Sequence, residues 1–246
     1  MVDNLPLSST NVGPESVRAL EHFVADVLKE FQTDISSIIL YGSGARADFR
    51  EGKSDLNLLV VFSSLDMARM SRFIPLHDKY LRNRIVPLAL TKKDLVDTAH
   101  VFPLKFLSFK EANVVLSGID VLKEIDVDNS HVRFRCKQEL QNLLMRLRYH
   151  YISNQGRGLT NMMSRTSTNF IESLRVVILL ETGNKPDRVG IVEAASSIGI
   201  DGGALKKVLD IKGRDVALPN TESRVIFERY LRIVEQLLAK VDNLKE

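Results

Sequence analysis

The sequence predicts a chain in two parts. Residues 1–125 read as an α/β (α+β) domain with a small mixed sheet covered by helices, and residues 126–246 as an all-α helical bundle. Three observations predict this. Short β-branched runs alternate with helical patterns in the first half. Every apolar pattern after Ile125 has helical spacing, and the polar run Asp126-Val127-Asp128-Asn129 separates the two halves.

Each element has its own signal. Val17, Leu20, Phe23, Val24, Val27, Leu28 and Phe31 recur at helical spacing. Residues 35–41 and 56–62 are compact apolar strands, residues 64–81 a helix, and residues 85–90 a third strand. Thr91-Lys92-Lys93-Asp94 is a capping box with Asp in place of Glu, opening a short helix. A helix follows over 102–112, and Val114-Val115-Leu116-Ser117-Gly118 is a short fourth strand.

In the second half, Val132, Cys136, Leu140, Leu143, Leu144, Leu147 and Tyr151 form one long stripe. A loop over 153–158 precedes helices over 170–181, 189–198 and 225–241, with a short helical piece opened by Asp201-Gly202-Gly203-Ala204. The polar segment 161–168 is assigned nothing beyond capping the helix that follows it.

Composition narrows the function. Hydrophobic residues make up 44% and charged residues 26%, as in soluble globular proteins. No apolar run approaches the roughly 20 residues of a membrane span. Residues 1–6 have neither a basic region nor an apolar core of a secretory signal, and a lone cysteine, Cys136, excludes an internal disulfide. A cytoplasmic protein is expected. The net charge of +3 does not by itself imply nucleic acid. Residues 1–125 hold 15 Lys/Arg against 16 Asp/Glu and residues 126–246 hold 19 against 15, an excess that reads as a solvated face. The five histidines show no zinc-ligand spacing, and Gly42-Ser43-Gly44 lacks the Gly-x-Ser-x-Gly frame of serine hydrolases.

Chemistry concentrates in "LYGSGARADFREGKSDLNLLVVF", residues 40–62. A strand ending in Gly42-Ser43-Gly44-Ala45-Arg46 presents backbone N–H groups and a hydroxyl to an anion. The glycines permit close backbone approach, and a helix starting there would add a favourable field. Arg46 pairs with a phosphate or sits on the surface; Lys53 neutralises a phosphate or balances Asp55. Ser54-Asp55-Leu56-Asn57 opens the next strand, so Asp55 and Asn57 face one side, the side of the turn.

That stretch resembles the DNA polymerase β-like nucleotidyltransferase superfamily, whose signature is a Gly-Ser turn followed by an Asp-x-Asp strand. The resemblance implies that the turn holds the triphosphate of an NTP. It also implies that two aspartates, with a third on a neighbouring strand, bind two Mg²⁺ ions. Gly42 and Ser43 match the turn and Asp55 the first aspartate. The two-part layout is similar to that of the bacterial antibiotic and minimal nucleotidyltransferases. "KSDLNLLVV" and "VFPLKFLSFKEANVVLSGIDVL" are similar to bacterial nucleotidyltransferase-domain proteins.

The residues so implied are Gly42, Ser43, Gly44, Arg46, Lys53 and Ser54 for the nucleotide, Asp55 and Asn57 for Mg²⁺, and Asp55 for catalysis. Three departures weaken the metal site. Asn57 is neutral where a second carboxylate belongs, and residues 84–90 supply no acid. Asp94 is assigned to helix capping, while Asp48 and Glu51 are substitute carboxylates or solvated loop charges. One assured carboxylate holds at most one ion, mainly through the nucleotide.

The expected function is therefore Mg²⁺-NTP binding with weakened transfer of a nucleoside monophosphate to a hydroxyl of an unidentified acceptor, the bundle closing over the turn. The competing expectation is a catalytically inactive nucleotide-sensing or protein-interaction module whose bundle associates with itself or a partner. The basic helix over 131–151 (Arg133, Arg135, Lys137, Arg146, Arg148) faces an acceptor or nucleic acid, or is a charged outer face. Phe102, Phe106 and Phe109 read as core.

Overall fold

A computed structural model describes residues 5–47, 49–187, 189–211 and 218–244. The chain forms two compact units, Met1–Val127 and Asp128–Glu246.

In the first unit, the apolar spacing of residues 17–31 forms α1 (Pro14–Phe31), with proline in the first turn, where its missing N–H costs nothing. The strands are β1 (Ile35–Tyr41), β2 (Leu56–Phe62), β3 (Ile85–Thr91) and β4 (Asn113–Gly118). They lie in the order β3-β2-β1-β4. β1 is antiparallel to β2 and β4, whereas β3 runs parallel to β2. Parallel pairing requires a crossover, and α2 (Met67–Tyr80) supplies it. The helix starts at 67 rather than 64 because the Asp66 carboxylate caps it, accepting from Arg69 N–H at 2.8 Å.

Strand alternation gives the sheet two apolar faces. Ile38 and Leu40 of β1, with Leu56, Leu58, Val60 and Phe62 of β2, pack under α1 and α2, around Phe23, Phe31, Phe73 and Tyr80. Ile39, Leu59 and Val61 point the other way. They meet α3 (Lys92–Ala99) through Leu95 and Ala99, and α4 (Pro103–Glu111) through Phe106 and Phe109. The result is three layers with the sheet in the middle. Thr91 and Asp94 form the expected capping box. Gly118 is at φ +80°, and a Cβ there would overlap the Ser36 carbonyl oxygen, so β4 leaves the sheet at a position that only glycine fills.

The second unit contains no strand among the described residues. Its helices are α5 (Asn129–Ser153), α6 (Leu159–Thr182), α7 (Ile191–Ser197), α8 (Gly202–Asp210) and α9 (Asn220–Asn243). α5, α6 and α9 pack on one another, α8 on α9, and α7 on α8. The Cys136, Leu140, Phe170, Leu174, Tyr230 and Val234 side chains are buried, and the Phe170 and Tyr230 rings meet edge to face at 4.8 Å.

The polar segment 161–168 belongs to α6, which starts eleven residues before the expected position. Its buried hydroxyls turn back onto the helix. Thr166 Oγ1 donates to the Met162 carbonyl at 2.9 Å and Ser167 Oγ to that of Ser164 at 2.8 Å, so polar residues enter the core without unpaired groups.

Candidate functional site

The end of the sheet where β1 stops and β2 starts carries the sequence-predicted residues. Tyr41, last residue of β1, stands opposite Asn57 in the antiparallel register. Gly42 follows at φ +74°, and a Cβ there would lie 3.7 Å from Asn57 Nδ2. The turn and Asn57 are thus brought together, as strand alternation requires. Positive φ favours glycine at position 42. Gly44 is buried, and a Cβ on it would press Leu40 Cδ1 at 2.9 Å, which keeps that backbone close to the strand end.

The Gly42–Ala45 segment is one 3₁₀ turn that ends at Arg46, closed by Arg46 N–H to the Ser43 carbonyl at 3.0 Å. Among the described residues no helix starts at Arg46, so the favourable field that a helix N-terminus would add is not found there. Among the described residues, an anion at this turn meets local N–H groups, the Ser43 hydroxyl and the Arg46 cation. Gly42 N–H is already given to the Ala112 carbonyl at 3.3 Å. Below the turn, the half-buried Tyr41 ring packs edge to face on Phe109 at 4.6 Å, and burial raises its phenol pKa.

Asp55, one residue before β2, is exposed and makes an ion pair with Arg84: Asp55 Oδ1 to Arg84 Nη2, 2.8 Å, the side chains 50% and 45% exposed. Arg84 also donates from Nε to the Ser54 carbonyl at 3.3 Å, while its own carbonyl accepts from Leu56 N–H at 2.9 Å. Its backbone is left-handed, φ 58° and ψ 26°. A non-glycine residue there carries a strain on the order of 1 kcal/mol.

Lys53 is exposed in the loop. The Ser54 hydroxyl accepts from Arg50 N–H at 3.1 Å and so closes that loop. Ser54, Gly52 and Glu51 line a polar pocket of about 190 Å³ with Glu15, Ser16, Arg82, Asn83 and Arg84.

The other candidate acids have structural occupations. Glu51 caps α1, its carboxylate accepting from Gly13 N–H at 2.9 Å and Ser16 Oγ at 2.6 Å. Asp94 accepts from Thr91 N–H at 2.8 Å and Thr91 Oγ1 at 2.7 Å, which holds its pKa below the usual carboxylate value. Asp48 lies outside the described residues. The parallel register sets Val86 of β3 opposite Asn57.

Extended back one residue, that register sets Arg84 opposite Asp55. Opposite Asp55 and Asn57 therefore stand a guanidinium, from the residue just before β3, and the isopropyl group of Val86. Among the described residues no three Asp, Glu, His or Cys side chains converge. The donors among the described residues do not fit two divalent ions beside a polyphosphate, which lean on carboxylates.

On the bundle, the basic residues of α5 cross to α9. Arg133 donates to the Val241 and Asp242 carbonyls at 3.0 and 3.2 Å, Lys137 pairs with Asp242 at 2.5 Å, and Arg148 with Glu235 at 2.7 Å. Arg135 pairs within α5, with Glu139 at 2.7 Å. Phe106 and Phe109 are core, whereas Phe102 is 46% exposed at the head of α4. Cys136 is buried and its thiol is pushed up to about 12.

Arg84 is the residue that sequence reasoning missed. The signal was present: β2 and β3 are apolar runs of equal length, and aligning them in parallel puts Arg84 beside Asp55.

Among solved structures, the chain is similar to the spectinomycin adenyltransferase AAD(9) from Enterococcus faecialis, determined with ATP and spectinomycin. Identity is 14%, the TM-score is 0.54, and the match covers 93% of this chain and 99% of that one. The likeness shows the fold: a nucleotidyltransferase-like architecture of mixed sheet and helices, with a helical C-terminal region. No family model matches the chain, and no curated protein matches it. Among the described residues no helix is long and apolar enough to cross a membrane.

Proposed function

We propose that this chain is a nucleotide-binding protein on a nucleotidyltransferase fold. The Gly42-Ser43-Gly44-Ala45-Arg46 turn takes the phosphates of a nucleoside triphosphate, and nucleotidyl transfer to a hydroxyl acceptor is residual beside binding. One observation carries the reading: the Gly42 backbone sits against Asn57 at the head of β2, so turn and Asp55 strand share one end of the sheet. The fold shared with an adenyltransferase solved with ATP supports it. Gly42, Ser43, Gly44 and Arg46 contact the phosphates, Lys53 adds positive charge, and Ser54 holds the loop that presents Asp55. Residues 1–125 form the nucleotide domain and residues 126–246 the helical domain. A reducing, cytoplasmic setting suits the buried, unpaired Cys136.

Mg²⁺ carried in on the nucleotide's own phosphates would find Asp55 and the Asn57 amide oxygen as its protein donors, and Asp55 is already paired with Arg84. A second reading, a nucleotide-sensing or interaction module with no transfer at all, is favoured by the acid inventory. Glu51 and Asp94 cap helices, and Asp55 is held by Arg84.

Melting curves with ATP, GTP, CTP and UTP test binding. A ligand at about 100 times its Kd stabilises by roughly 2.7 kcal/mol, a shift of several degrees. One nucleotide should give that shift, and Ser43→Ala should reduce it. No shift with any of the four discards the proposal. Slow transfer of label from an α-phosphate to an acceptor would discard the module reading alone, and transfer at an ordinary enzymatic rate would also overturn the residual role given to transfer.

A further inference from the structure

The cation at this site is built into the chain. We infer that the Arg84 guanidinium stands where a divalent ion would meet Asp55, so that nucleotide phosphates are bound without Mg²⁺. The inference rests on the nucleotide reading for its ligand, but its geometry stands independently of it.

Four observations converge on Arg84. Its Nη2 lies 2.8 Å from Asp55 Oδ1, so the one acid of the motif already has a cation. The neighbouring positions that would hold a metal against that competitor are Asn57, neutral, and Val86, apolar. The guanidinium is aimed by Nε donating to the Ser54 carbonyl, and the Arg84 backbone is fixed by its own carbonyl accepting from Leu56 N–H. Its backbone holds a left-handed conformation that glycine would adopt without strain, so the side chain is retained at a conformational cost.

The pair is also about half exposed, so an incoming phosphate can reach the guanidinium. Arginine presents a planar fork of donors that matches phosphate oxygens and keeps its charge at any physiological pH. Mg²⁺ demands octahedral oxygen ligands and sheds its water reluctantly, and a single exposed carboxylate already paired to arginine offers it little.

The test has two arms on the full chain. In the first, Mn²⁺ alone is titrated and followed by electron paramagnetic resonance. Arg84→Gly suits the left-handed backbone and so removes the side chain without forcing a refold; it is combined with Asn57→Asp. The double variant should bind Mn²⁺ about tenfold or more tightly than Asn57→Asp alone, and Asp55→Asn in that background should abolish the gain. No gain, or a gain that survives Asp55→Asn, overturns the inference.

In the second arm, ATP is titrated calorimetrically in EDTA and in Mg²⁺. Wild type should bind with affinities within about twofold of each other. Arg84→Gly should weaken binding about tenfold in EDTA, the scale of a lost charged hydrogen bond. Wild-type binding that needs Mg²⁺, or an Arg84→Gly variant as tight as wild type in EDTA, contradicts the inference. Absence of ATP binding under every condition fails the nucleotide reading instead, and the Mn²⁺ arm still decides whether Arg84 holds the ion's place.

Discussion

The head of β2 and the helix α5 both carry charges that the sequence offers to a ligand, and the fold uses them differently. On α5 the cations Arg133, Lys137 and Arg148 reach across to the carbonyls and carboxylates of α9. They fasten two helices that already pack on each other. At the head of β2, Asp55 and Arg84 meet at the rim of a sheet, each about half in water, beside a turn whose backbone leaves the strand. The α5–α9 pairs Lys137–Asp242 and Arg148–Glu235 are as exposed as Asp55–Arg84, so exposure does not separate the two regions. The difference is position: the α5–α9 pairs tie two packed helices together, whereas Asp55–Arg84 lies at the sheet end that carries the turn, where a ligand can compete for it.

That contrast breaks first in the bundle. Arg175 is 3% exposed, donates from Nε to the Pro186 carbonyl at 2.7 Å, and pairs with Glu172 at 3.1 Å. Arg175→Ala should lower stability by about 2–4 kcal/mol, because a half-buried carbonyl loses its donor and the buried arginine side chain leaves a cavity. A change below about 1 kcal/mol in urea melts would show that even the buried bundle charges are dispensable.

Next is Glu51, which the sequence left open between metal ligand and loop charge. Glu51→Ala should cost about 1 kcal/mol through the uncapped start of α1, with ATP affinity unchanged. An unchanged melting curve together with weakened ATP binding would return Glu51 to the site.

Asp94 sharpens the same point through pH. Its folded pKa is depressed by Thr91 N–H, so its contribution is present above the unfolded carboxylate value and disappears as pH falls through the folded one. Asp94→Asn should therefore cost about 1 kcal/mol near neutrality, and the gap to wild type should close in acid. A gap that is constant with pH contradicts the capping assignment.

The smallest effect on stability belongs to Asp55→Asn. An exposed pair contributes roughly 0.2–1 kcal/mol, so melting should barely move while ligand binding changes. A loss as large as that of Arg175→Ala would make the Asp55–Arg84 pair part of the scaffold.

Strands β1 and β2 were legible to the residue, because compact β-branched and leucine-rich runs between polar loops admit one reading. The capping box at Thr91 was equally legible, since it is local chemistry. The start of α6 was not. Thr166 and Ser167 look like a polar break, and only burial against neighbouring helices shows that their hydroxyls bond their own backbone. The turn after β1 was located, but its 3₁₀ geometry depends also on contacts such as Gly42 N–H to the Ala112 carbonyl, 70 residues away, which no local pattern encodes. Arg84 stayed hidden for a related reason. Its partner is 29 residues away, and the pair exists only through the β2–β3 register.

The most direct measurement is backbone hydrogen exchange of the full chain with and without saturating ATP in EDTA. The account predicts slowed exchange in peptides covering residues 40–47 and 53–57, and in the peptide containing Arg84, with residues 128–246 unchanged. Protection confined to the helical unit, or none at the turn under conditions where ATP raises the melting temperature, would contradict it.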